Sequence, residues 1–183
     1  MTDTVTRIAL IAYFAEKSQS NWIGRTALIK LCYLLQTLRH VSLGYNFTLY
    51  SYGPFDAAVL QDLGNAVALG FVREELTLHG LGYGYRIHNR LPLQDVQRWS
   101  GSFLQNHRED IHWVIEEFGN LSASRLELLS TIVYADREAD RSRESLTPER
   151  LAARVREVKP RFSEPQILQE VKSLKQKALL KSM

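Results

Sequence analysis

Residues 49–63 read LYSYGPFDAAVLQDL. A β-prone run rich in aromatic residues breaks at Gly53-Pro54 and gives way to apolar positions at helical spacing. The stretch reads as a strand, a proline elbow and a helix, an arrangement that presents a helix to a partner. Where that helix sits among its neighbours decides the fold. What it meets, whether a nucleic-acid groove, a protein or its own core, decides the function.

Working outward, the strand begins at Tyr45 and the helix is expected over about 54–69. Pro54 suits a first helical turn because its missing N–H would be unpaired there anyway; Asp56 is the alternative cap. Phe55, Val59, Leu60, Leu63, Ala66 and Val67 form the expected inward face. Upstream, two helices are predicted over about 3–18 and 25–40, joined by a short turn at 19–24. Leu28, Leu31, Cys32, Leu35 and Leu38 stripe the second, with Ile29 and Leu34 widening the stripe. Downstream, two strand-like runs, 71–77 and 83–88, flank a glycine-containing turn, Leu78-His79-Gly80-Leu81-Gly82. Helical patterns follow over 93–106, 109–118, 124–137 and 148–158, and a last helix opens after Ser163 and carries Ile167, Leu168, Val171, Leu174 and Ala178. Ser124 with Glu127, and Ser163 with Gln166, have capping-box spacing. The run ADREADRSRES at 135–145 is expected to be an exposed loop or a frayed helix end.

This order predicts an α+β, mostly helical chain. It has a winged-helix-like core with a small three-stranded antiparallel sheet, plus a helical C-terminal half. The expected division is a winged-helix-like domain at 1–90 and a helical region at 91–183 packed on it.

The chain has 183 residues, 45% hydrophobic and 23% charged, enough to bury a core and too apolar for disorder. One cysteine, Cys32, excludes an intramolecular disulfide and a cysteine-built zinc site; inside a leucine stripe it is expected to be a buried, inert thiol. No window has the apolar length of a membrane span, and the amphipathic N-terminus lacks the form of a secretion signal, so a cytoplasmic protein is expected. Residues 1–136 carry 11 basic against 13 acidic side chains, a net −2, whereas 137–183 carry 12 against 7, a net +5. The basic excess lies in the C-terminal part.

Catalytic patterns are lacking. The glycines at 80–84 sit between strands, without the following helix that a phosphate loop needs. His107 and His112, with Glu109, Asp110 and Glu116 nearby, miss the four-residue spacing of a zinc-protease helix. Paired carboxylates lie in polar surroundings that give no reason for a shifted pKa. No catalytic residue, cofactor or metal is expected.

The 54–69 helix has no lysine or arginine to meet phosphates, which supply most of the affinity for nucleic acid. It carries Asp56, Gln61, Asp62 and Asn65 instead. These four, with Tyr52 and Pro54 of the elbow, are the candidate contacts for a protein partner. A DNA-binding role would lean on Arg73, Arg86 and Arg90 of the wing, diluted by Glu74 and Glu75, and on the basic C-terminal helices. Arg25, Lys30 and Arg39 add cations on the second helix.

Three segments carry a family resemblance: GRTALIKLCYLLQ at 24–36, LGYNFTLYSYGPFD at 43–56 and LQDLGNAVALGFV at 60–72. Together they resemble the YwgA-like group of small prokaryotic proteins and, more distantly, are similar to the SocA-like Panacea domain of antitoxins. The likeness is best over 1–90; LELLSTIVYADRE and VKPRFSEPQILQEVKSL are compatible with the same group. It implies a winged-helix-like core and, from the Panacea side, toxin neutralisation through protein contacts, near mobile-element or phage-defence functions. No catalytic residue carries over. The matching positions are Gly24, Arg25, Thr26, Tyr52, Gly53 and Pro54, each of which also has a structural reading as a helix start or an elbow. The expected function is therefore a non-enzymatic interaction module, antitoxin-like or defence-associated, whose partner is a toxin or defence protein. The alternative is a winged-helix DNA-binding transcriptional regulator. No membrane is involved in either reading, and both leave room for a homodimer.

Overall fold

The computed structural model describes residues 2–79 and 82–183. The Gly80-Leu81 part of the expected wing turn lies outside the described residues. In chain order the first elements are α1 (Thr4–Lys17), β1 (Ile23–Gly24), α2 (Arg25–Leu38), β2 (Thr48–Tyr50), β3 (Gly53–Phe55) and α3 (Ala57–Ala68). The antiparallel pair expected as the wing, β4 (Val72–His79) and β5 (Gly82–Asn89), follows. Six helices complete the chain: α4 (Leu93–Trp99), α5 (Phe103–Asn106), α6 (Arg108–Phe118), α7 (Ala123–Arg141), α8 (Pro148–Val158) and α9 (Glu164–Gln176). The architecture is α+β and mostly helical, with a small three-stranded antiparallel sheet of order β1-β5-β4 and a separate two-stranded hairpin, β2-β3. The chain gathers into two compact units, residues 1–47 with 56–123 and residues 48–55 with 124–183. The sequence reading divided it once, at residue 90.

In the first unit, Asp3 starts α1 by accepting the Thr6 N–H at 2.7 Å, and those hydrogen bonds hold its carboxyl below the usual range. Helix α1 buries every position from Ile8 to Ala15, and α2 every position from Leu28 to Leu35. Both are therefore covered on several sides, unlike a surface helix with one apolar stripe. Cys32 is wholly buried in α2, and burial pushes its thiol far above the ordinary range, so it stays protonated and unreactive.

Residues 23–24 are a strand and not part of a turn: Ile23 pairs with Ile87 and Gly24 with Arg86, which puts β5 at the centre of the sheet. The 93–106 segment is likewise two helices and not one, since Gly101 interrupts it at φ +56°.

In the second unit, the quoted elbow is a hairpin. Thr48 pairs with Phe55, Leu49 with Pro54 and Tyr50 with Gly53. Pro54 accordingly lies in a strand of a two-stranded ribbon, where it need donate nothing, and not in the first turn of α3. Of the stretch 135–145, expected as an exposed loop or a frayed helix end, residues 135–141 are an ordered continuation of α7 to Arg141. Asp136 is completely buried there. Its carboxylate accepts the Lys181 and Ser182 backbone N–H groups at 2.9 Å each and the Ser182 hydroxyl at 2.7 Å, with Arg137 beside it. Ser163 and Gln166 form the expected capping box at α9. Glu127 does not close one with Ser124; its side chain is engaged elsewhere in the unit.

Candidate interaction surface

Helix α3 starts where a carboxylate replaces a missing partner. Asp56 accepts the Ala58 N–H at 2.9 Å and, with its other oxygen, the Asn46 N–H at 2.5 Å. Its two oxygens hold the helix start in place, and Asp56 is only partly exposed.

Asp62, expected at the surface, is buried on the inner face of α3 at 3% exposure. Arg7 Nε donates to it at 2.6 Å and the Tyr45 hydroxyl at 2.9 Å. The hydrogen bond to Asp62 raises the Arg7 pKa. Burial, reinforced by nearby negative charge, pushes the Tyr45 phenol well above its ordinary range, so it remains a donor. Asp62 therefore holds α3 to α1 and does not meet a partner.

With Asp62 turned inward, the outer face of α3 is Ala57, Gln61, Gly64, Asn65 and Ala68, none of them charged. Gln61 and Asn65 share this face, one helical turn apart. Nothing lies within 4 Å of where a Cβ on Gly64 would sit, so the centre of the face is flat and open. Val67 and Leu69 are also exposed at its end.

The wing's cations divide. Arg73 and Arg90 are exposed. Arg86 is partly buried and lays its guanidinium 4.8 Å above the Trp22 ring. Arg25 is held by Glu74 through two hydrogen bonds, 2.7 and 2.8 Å, and stacks 3.6 Å above Tyr85. Arg39 pairs with Asp110 at 2.7 Å, and Lys30 is buried. Most of the positive charge near the wing is already neutralised or stacked. Its far end is apolar instead: Leu76 stands opposite Tyr85 and Leu78 opposite Tyr83, and all four are exposed, Leu78 at 72%.

Tyr52 and Pro54 belong to the second unit. Tyr52 is 69% exposed at the hairpin tip, whereas Pro54 is buried. Beneath the hairpin, Lys159 Nζ donates to the Ser51 carbonyl and pairs with Glu127 at 2.9 Å; both side chains are almost wholly buried. Arg161 reaches the other Glu127 oxygen at 2.6 Å. Sequence reasoning missed this pair, reading Lys159 as a helix stop before Pro160. The available signal was an acid at 127 flanked by Leu126, Leu128 and Leu129.

A cleft of about 780 Å³ opens in the first unit beside Trp22, Arg25, Thr26, Tyr83, Tyr85 and Asn120. Among the described residues that line it there is no carboxylate, histidine or cysteine. His112 Nε2 lies 2.7 Å from the Tyr13 hydroxyl, and His107 packs on Phe103. The described residues contain no group of three or more side chains able to hold a metal ion. No described helix is long and apolar enough to cross a membrane.

No protein-family model and no curated protein matches the chain.

Proposed function

We propose that the protein is a non-enzymatic interaction module that binds a protein partner through the outer face of α3. One observation carries the reading: that face is flat and uncharged, with Gln61 and Asn65 offering neutral hydrogen-bonding groups around an open Gly64. A helix meant for a nucleic-acid groove needs cations for phosphate, and α3 has none. A helix without bulky or charged side chains instead allows close approach of another protein surface. The antitoxin-like or defence-associated role, within a winged-helix-like frame, is drawn from the resemblance of residues 1–90 to YwgA-like and Panacea proteins.

The test is co-expression with the product of the neighbouring gene, followed by affinity capture. The native chain retains the partner and relieves its toxicity. Gly64→Arg, which places a long cation in open space and removes a helix-weakening glycine, abolishes capture without loss of thermal stability. Undiminished capture by that variant would exclude the α3 face.

A second reading, DNA binding through the wing, is favoured by the exposure of Arg73 and Arg90. Under it, affinity falls steeply with salt, and Arg73→Ala with Arg90→Ala lowers the slope of log K against log[salt] by about 2.

A further inference from the structure

The outer edge of the wing raises a question separate from α3. Strand β4 is the edge of the three-stranded sheet, paired only with β5 among the described residues. An eight-residue edge strand displays a row of backbone N–H and C=O groups. Proteins usually protect such edges with lysine, proline or a bulge. Strand β4, VREELTLH, contains neither lysine nor proline, and its pairing with β5 runs through all eight residues without a bulge. Its charges, Arg73, Glu74 and Glu75, lie in the half nearest the body of the unit, and Glu74 is already tied to Arg25. The half from Leu76 to Leu78 is uncharged, and its leucines are exposed on one face with Tyr83 and Tyr85 behind them.

We infer that this edge pairs antiparallel with β4 of a second copy, about a two-fold axis through Thr77, so that two wings form one six-stranded sheet. The occupant follows from self-complementarity. In this register Thr77 faces Thr77 of the second copy, and Leu76 faces Leu78 of the second copy, and the reverse. The four exposed apolar side chains of each wing join into one eight-residue stripe. No two acids come opposite one another, whereas moving the axis to Glu74 or Glu75 would set glutamate against glutamate. Pairing the edge also satisfies its free backbone groups, and a two-fold contact closes on itself where a head-to-tail one would grow into fibres.

Two variants test this through different chemistry. Leu78→Lys places a cation on an exposed position of the stripe, where the fold has nothing to lose. By sedimentation equilibrium at tens of micromolar, the native chain is expected to run at twice its 21.0 kDa mass and L78K at 21.0 kDa. Thr77→Cys sets two cysteines opposite one another at the roughly 4.5–5.5 Å Cα spacing of paired strands, within disulfide range. Mild oxidation therefore converts T77C largely to a covalent dimer on a non-reducing gel, while Leu69→Cys, an exposed control at the end of α3, stays monomeric. Buried Cys32 takes no part. A native chain that stays at 21.0 kDa overturns the inference, as does a dimer that survives L78K or a T77C variant that cross-links no more than L69C. None of these outcomes bears on capture of a partner by α3.

Discussion

The carboxylate of Asp62 accepts from Arg7 at 2.6 Å and from Tyr45 at 2.9 Å while almost wholly screened from water. Removing it leaves a buried phenol without its acceptor and a largely buried guanidinium without its counter-charge. Asp62→Ala is therefore expected to cost about 2–3 kcal/mol, somewhat less than a fully buried pair because Arg7 retains some access to water. Gln61→Ala, one position earlier but exposed, should stay within about 0.5 kcal/mol. Urea denaturation of the two variants checks the contrast; equal effects would mean that Asp62 does not hold the helix. At this scale the sequence showed the residue and hid its orientation. The helical period allowed Leu60 or Asp62 on the inner face, and the acid prevails only because Arg7 and Tyr45, far away in the chain, are there to meet it.

Between elements, the decisive contact is the hairpin on α7. Gly53 has φ +85°, and a Cβ there would lie 2.9 Å from Thr131 Oγ1. Gly70 has a similar φ, +75°, with nothing within 4 Å. Gly70→Ala should therefore cost about 1 kcal/mol from the backbone alone, and Gly53→Ala about 2–3 kcal/mol from backbone and collision together. Equal shifts in thermal denaturation would remove the close approach from the account. Helices with clear caps and periods, such as α1 and α8, were legible in the sequence almost to the residue, and α9 at its start. Strand β1 was not, because two residues carry no period and their partner is distant. The hairpin was misread because Pro54 satisfies a local rule for helix starts equally well. The 135–141 stretch was misread because, besides the adjacent Arg137, the groups that satisfy the Asp136 carboxylate are the backbone N–H groups of Lys181 and Ser182, which leave no mark on local pattern. Of the candidate contacts, Gln61, Asn65 and Tyr52 lie at the surface, whereas Asp62 and Pro54 are buried.

Over the whole molecule, the basic excess follows the units. Residues 48–55 with 124–183 hold 13 basic against 9 acidic side chains, a net +4, and the remainder hold 10 against 11, a net −1. The units are also interleaved in sequence, since the second takes an eight-residue segment from within the first. A fragment of residues 1–123 should therefore keep the protected amides of α1 and α2 but lose protection over 48–55, whose own unit is missing. Hydrogen exchange read by mass spectrometry distinguishes the cases. Slow exchange at 48–55 in the fragment would mean that the hairpin does not depend on residues 124–183.

That interleaving sets a timetable for synthesis. A ribosome adds about 5–20 residues per second, so some 4–15 s separate the making of Phe55 from that of Thr131. Lys159, which takes the Ser51 carbonyl, comes later still. Through that interval the nascent chain carries Gly53 without the Thr131 and Glu127 of α7 that it packs against, while α1 and α2 are already made. The segment quoted first is thus made well before the residues that hold it, and stays within reach of chaperones and proteases until they emerge.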